Sequence, residues 1–305
     1  MAKDQNRRYI WLLRTLIETG GISLKELCDR WEMSSENDDH KELKRRTFFE
    51  HKDAVERMFD VNIICKVVDG QYKYMVEDAD QVSRDNLIRW LLESASISNT
   101  LSDCKDIKDR IILEPIAGGS EYLGVIVEAI RECKVLEIEY QSFKMTEPRT
   151  FTLHPYSLKN WQHRWYLLAE NVEQNTIRKY ELNRMKSVSK KSEGFKLPKG
   201  FNPVGYYDDC IGINLNDDDK PDTIVLRVYK GMQPYFETCP FHHSQTLVGK
   251  TADYTDYQYR LVINNDLYRQ LLALENSVEV LKPELLRKQI IHEALSILKK
   301  YQNNK

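Results

Sequence analysis

Long apolar runs, clustered cysteines and a surplus of either charge are all missing from this 305-residue sequence. No stretch approaches the roughly 20 apolar residues that a membrane-spanning helix needs, so no membrane partner is expected. The amino-terminal segment is basic and briefly apolar, but Arg14 and Glu18 interrupt it at helical spacing and no small-residue cleavage site follows. A secretory leader is therefore not expected. The six cysteines, Cys28, Cys65, Cys104, Cys133, Cys210 and Cys239, lie far apart without a CxxC pair. That spacing argues against a redox pair or a closed zinc site and for a reducing, cytoplasmic compartment. A formal net charge of −2 gives no overall pull toward nucleic acid, so DNA contact must come from a local basic cluster. Signatures of catalysis are missing too: no GxSxG, Walker A loop, HExxH or glycine-rich dinucleotide turn. His242-His243 lacks metal-binding spacing, and Asp217-Asp218-Asp219 lacks the further ligands of a calcium loop. No enzyme, cofactor or metal is expected.

What is present is periodicity, in a chain too long for one hydrophobic core. Helical spacing of Ile10, Leu13, Leu16 and Ile17 predicts a helix over roughly 6–19, stopped by Gly20-Gly21. Ser23 and Glu26 form a capping box for a second helix. A polar stretch, Ser34 to His40, precedes a third over roughly 43–59, with Phe48, Val55, Met58 and Phe59 as its core face. Two alternating runs around Asp69-Gly70 then predict a hairpin. Three helices and a hairpin are the order of a winged helix-turn-helix, over residues 1–78. Residues 79–134 read as a helical linker, with an apolar side at Leu87, Trp90, Leu91, Ile97 and Leu101 and a second helix over about 120–133 after Pro115. From Val135 the period becomes two, and four short strands over 135–193 suggest a small β-barrel. Residues 194–305 follow a ferredoxin-like βαββαβ order closed by a terminal helix. The expected class is multidomain α+β.

Three linked segments carry a family resemblance. His154-Pro155-Tyr156-Ser157-Leu158, then Arg164-Trp165-Tyr166-Leu167, then Arg178-Lys179-Tyr180-Glu181-Leu182-Asn183-Arg184 resemble the pattern of the WYL domain. The amino-terminal helices resemble a DeoR-type winged helix, and the last hundred residues resemble the WYL carboxy-terminal extension. The resemblance implies a bacterial transcriptional regulator, usually dimeric. Its WYL domain is an Sm-like (SH3-like) barrel binding a small or nucleic-acid ligand that controls DNA binding.

Candidate residues follow. Lys44, Arg45, Arg46, Thr47, His51 and Lys52 concentrate charge and donors near the start of the third helix, and Lys66 and Lys73 extend them onto the hairpin. Double-stranded DNA is the expected partner, reached through phosphates and base edges. Where the DeoR-type pattern places basic residues and then an acidic one after Arg-Thr, this chain has Phe49 and Glu50, then His51. In the barrel, His154, Tyr156, Arg164, Tyr166, Arg178, Tyr180 and Arg184 suit an anionic, planar effector, because arginine forks onto phosphate and tyrosine stacks on bases. The expected function is a ligand-controlled DNA-binding regulator acting as a homodimer. The alternative is a ligand- or RNA-binding module whose amino-terminal domain mediates protein interaction.

Overall fold

Helix α1 (Ala2–Thr19) buries Ile10, Trp11, Leu12, Leu13 and Leu16 in the first core. The computed structural model describes the chain except residues 1, 35, 38–41, 85, 104–108, 115–116, 204, 217 and 303–305. Cys104, Pro115, Asp217 and part of the polar stretch before the third helix thus lie outside the described residues. The chain divides into two compact units, residues 1–113 and 114–305. No helix among the described residues is long and apolar enough to cross a membrane.

In the first unit, β1 (Ile22–Ser23) leads into α2 (Leu24–Glu32) through the expected capping box: Ser23 Oγ accepts from Glu26 N, and Glu26 Oε2 accepts from Ser23 N. Trp31 of α2 meets Trp11 edge-on, with ring centroids 4.8 Å apart. Helix α3 (Arg45–Phe59) buries Phe48, His51, Val55 and Phe59, one stripe at intervals of three and four. Met58 was expected on that face but is half exposed, because its position falls off the stripe. Strands β2 (Ile63–Val68) and β3 (Gln71–Val76) form the hairpin, with Asp69 (φ 53°) and Gly70 (φ 76°) both left-handed at its tip. That is the turn chemistry Asp-Gly favours. The sheet order is β1-β3-β2. Glu56 fastens α3 to the hairpin: its Oε1 accepts from Ile63 N at 2.7 Å, while Lys52 Nζ bonds both its oxygens.

After α4 (Ala79–Arg84), helix α5 (Asn86–Asp103) packs Ile88, Leu92 and Ala95 against the first core. The apolar side read from the sequence, at Leu87, Trp90, Leu91 and Ile97, is the more exposed one. The next helix, α6 (Leu123–Arg131), buries Ile126 and Ala129 in a core of the second unit. The two segments expected to link domains therefore each contribute to a core.

The second unit begins with β4 (Lys134–Tyr140), β5 (Arg149–Trp161), β6 (Arg164–Asn171), β7 (Thr176–Glu181) and β8 (Met185–Gly194). They form an antiparallel sheet in the order β7-β6-β5-β4-β8. The expected barrel is not closed. The last predicted strand breaks at a 3₁₀ turn, Leu182–Arg184, which ends β7 and sends β8 to pair with β4 on the far edge. Helix α6 covers one face, over Leu136, Ile138, Leu153, Leu167 and Tyr180. A second sheet, β10-β11-β9-β12, is built from β9 (Pro221–Tyr229), β10 (Thr246–Lys250), β11 (Tyr254–Val262) and β12 (Val278–Lys282). Helices α7 (Gln233–Thr238) and α8 (Asn265–Ala273) give the expected βαββαβ order, and α9 (Glu284–Gln302) follows.

Two positions yield predictions. Gly119, at φ 99°, lies so close to the 3₁₀ turn that an added Cβ would stand 2.5 Å from Asn183 N and 2.6 Å from the Leu182 carbonyl carbon. Gly119→Ala is expected to destabilise the second unit by about 2 kcal/mol or more, from left-handed strain plus a clash with backbone. Urea unfolding followed by circular dichroism measures it.

His51 was expected to reach DNA but is only 7% exposed, edge-on to Tyr9 at 5.2 Å. Helical phase turns it into the core. Burial, and then the nearby Arg8 charge, push its pKa below the ordinary histidine value. The unfolded chain therefore binds the proton more tightly, so full stability holds above pH about 6.5 and declines as the pH falls below it. Protection factors of α3 amides, taken relative to the unstructured exchange rate at the same pH, should fall with acid across that range, and His51→Phe should flatten the dependence. An unchanged profile in the variant would reject the assignment.

Candidate functional site

The residues expected to bind an effector divide between the two faces of the five-stranded sheet. On β6, Trp165, Leu167 and Ala169 turn toward the α6 core. Tyr166, Leu168 and Glu170 alternate to the other face. The pairing Tyr166↔Glu181 and Leu167↔Tyr180 extends this division onto β7: Glu181 belongs with Tyr166, and Tyr180 and Arg178 belong with the core side. On β5, the pairing His154↔Glu170 puts His154 on the Tyr166 face. The seven candidates therefore do not share one surface.

Two carboxylates organise the Tyr166 face. Glu170 Oε2 lies 2.9 Å from His154 Nδ1 and accepts from Tyr156 Oη at 2.8 Å. Those two hydrogen bonds, Tyr156 first, hold its carboxyl below the usual carboxylate range. Burial, reinforced by Glu170, pushes the Tyr156 phenol far above its ordinary value. His154 stacks on Phe195 with centroids 4.8 Å apart and planes at 5°, and Tyr156 packs on Phe201 at 4.8 Å. Tyr156 is 3% exposed. It is a packed, bonded side chain, and the expectation that it offers a stacking surface is corrected.

Glu181 is the second organiser, itself only 3% exposed. Arg164 Nη1 donates to one of its oxygens, and Arg184 Nη2 lies 2.5 Å from the other. The Arg184 guanidinium also sits 3.7 Å over the Phe143 ring. Its Nε is buried and has no hydrogen-bond partner among the described residues. Arg184 closes the 3₁₀ turn that follows β7, and that turn brings it back to Glu181 three residues earlier. Tyr166, half-buried nearby, has its phenol pushed up by burial and then by the Glu181 charge.

The other two candidates stand apart. Tyr180 is 4% exposed, edge-on to Tyr140 at 5.2 Å, and its hydroxyl accepts from buried Asn171. It is core, because its parity sends it under α6. Arg178 is exposed and bonds Thr176 Oγ1 at 3.3 Å. Arg164 and Arg184 are thus brought together, and Arg178 is not.

Sequence reading missed Glu170, Glu181 and Phe143. A usable signal was available: a partly buried arginine requires an acid, and Glu181 lies three residues before Arg184. Lys159 was missed as well. It lies 4.0 Å from the Tyr207 ring centroid, and burial pushes its ammonium below the usual lysine range. Among the described residues no group of three or more His, Cys, Asp or Glu is placed to hold a metal ion.

In the first unit, Lys44, Arg45 and Arg46 are exposed around the start of α3, and Thr47 is half-buried. Lys44 occupies the cap position without a side-chain cap bond. Arg45 lies 5.9 Å from the Phe49 ring centroid, and Arg46 Nε donates to Glu50 Oε1 at 2.9 Å. Lys66 and Lys73 face each other across the hairpin. Lys52 was expected to contact DNA, but it is turned inward and held by Glu56 at 2.7 Å, with its side chain 19% exposed.

Residues 121–190 match the family model of the WYL domain. No curated protein matches the chain. Among solved structures, it is similar to proteasome accessory factor B/C (PafBC) of Arthrobacter aurescens, at 17% identity and a TM-score of 0.37. That alignment covers 95% of this chain and 46% of the other, so this chain spans about half its length. A CRISPR Cas-related protein is similar at 13% identity, covering 86% of this chain and 75% of that one, with a TM-score of 0.37. The segment that holds Glu170, Glu181 and the arginine pair, residues 121–190, is a WYL domain.

Proposed function

We propose that the chain is a bacterial transcription regulator that binds double-stranded DNA through its first unit and an anionic effector through its WYL domain. The observation that carries the DNA reading is the uncapped start of α3, where Lys44, Arg45 and Arg46 are all exposed in a chain whose net charge is −2. Positive side chains at a helix amino terminus add to its positive dipole end and favour phosphate. The adjoining hairpin supports a winged-helix reading, with Lys66 and Lys73 as further phosphate contacts.

The effector reading rests on Arg164 and Arg184, two guanidiniums sharing one carboxylate. The pair leaves one positive charge uncompensated beside an aromatic ring, an arrangement suited to a phosphate attached to a planar group. The carboxy-terminal βαββαβ segment fits the ferredoxin-like extension of such regulators, and the proposed working form is a homodimer.

Gel-shift titration over a salt series tests the DNA reading. Arg45→Ala and Lys44→Ala should each weaken binding and reduce the slope of log affinity against log salt by about 1, the share of one phosphate contact. A flat salt response in the unaltered protein would instead indicate a protein partner for this unit.

The effector site is tested with a short single-stranded oligodeoxynucleotide and, separately, inorganic phosphate as probes. Arg184→Ala should weaken binding by about tenfold or more, while Arg164 still neutralises Glu181 and preserves the fold. Arg178→Ala should change it by less than about twofold, since an exposed arginine away from the site adds only screened charge. Equal losses in both variants would defeat the assignment.

A further inference from the structure

The outward stripe of α3 is not uniformly basic. Arg46, Glu50, Asp53 and Arg57 recur at intervals of three and four and are all exposed. A helix face built only to hold phosphates gains nothing from two carboxylates at its centre, because they repel the DNA backbone. Glu50 is placed more specifically still. Its Oε1 accepts from Arg46 Nε at 2.9 Å, in a pair whose side chains are 90% and 58% exposed. Among the described residues, both Nη groups of Arg46 and Oε2 of Glu50 have no protein partner. The pair therefore offers a donor fork and a free acceptor side by side, within the first two turns of the helix.

Resting on the DNA-binding reading above, we propose that Arg46 and Glu50 act as one reader of a G·C base pair in the major groove. Arg46 donates through its Nη groups to guanine O6 and N7. Glu50 accepts from the N4 amino group of cytosine. Guanine O6 and cytosine N4 are neighbours on the groove edge of one base pair, so a carboxylate already tied to the arginine is in register for both. Guanine or thymine at the Glu50 position would present an oxygen to the carboxylate and be rejected. Glu50 thus sets specificity at the expense of general affinity, the reverse of the role a basic residue would have there.

Selection of bound sequences from a random duplex pool tests this, using the full-length protein and its Glu50→Ala, Glu50→Gln and Arg46→Ala variants. The unaltered protein should select a G·C pair at one position in each half-site. Glu50→Ala should reduce discrimination at that pair by about tenfold while binding to unrelated duplex becomes tighter. Glu50→Gln should admit adenine, whose N6 and N7 suit an amide. Glu50 is exposed, so circular dichroism melting should move little in either variant. Selection of the same base pair with undiminished discrimination by Glu50→Ala would overturn the proposal and leave the DNA-binding reading intact, the contact with Arg46 then serving only the helix. If the unaltered protein binds no duplex at any salt concentration tested, both fall together.

Discussion

Glu181 carries a negative charge into a site that is 3% exposed, and two arginines answer it from different segments of the WYL domain. A carboxylate removed from water is tolerated only with close cationic or hydrogen-bond partners, and losing a sole partner typically costs about 3–5 kcal/mol. This requirement ties together parts of the sheet that hydrophobic packing alone would leave loosely related. It binds Arg164 at the start of β6 to the end of β7, and it holds the turn that carries Arg184 against the same edge. The same turn joins the two edges of the sheet: β7 ends at Glu181, and β8 begins at Met185 and pairs with β4.

The same constraint recurs at smaller scale. Glu170 collects His154 and Tyr156, and Glu56 collects Lys52 and the Ile63 amide. In each case an acid that sequence patterning treats as a surface residue ties two elements together, β5 to β6 through Glu170 and α3 to β2 through Glu56. Glu56 shows the consequence most directly: one carboxylate sets how the hairpin leaves α3, and it takes Lys52 out of solvent in doing so.

Local rules were legible in the sequence wherever the physics is local. The Ser23–Glu26 capping box, the Asp69-Gly70 turn and the alternation of β4 to β6 depend on neighbours within a few residues, and each is present. The WYL segments were legible as well, because three spaced motifs constrain one another. Tertiary facts were harder to read. Met58 and His51 exchanged their expected environments through helical phase alone. Tyr180 and Arg178 went to the core side because their strand pairs Tyr180 with Leu167, a register that parity within one strand cannot supply. Arg184 was misplaced because a 3₁₀ turn resets the alternation, and nothing in Leu-Asn-Arg marks such a turn. The recurring error was to read positively charged residues as free donors without asking which acids would claim them.

Many cations of this chain are already engaged: Arg14 by Glu36, Lys52 by Glu56, Arg227 bidentately by Asp256, and Lys190 by Glu128 and Glu132. A chain with a net charge of −2 exerts little long-range attraction on DNA. On the proposed reading, discrimination must then come from short-range groups that act only when the correct base edges are within reach. Lys44 and Arg45 supply attraction at the end of the helix, where the dipole adds to it. At the next position Arg46 is tied to Glu50, one turn further in, so its guanidinium is partly committed before any partner arrives. A restrained arginine loses less side-chain entropy on binding than a free one and tolerates fewer targets. The acid that weakens the basic cluster as a phosphate binder is thus the feature that would let it distinguish one sequence from another.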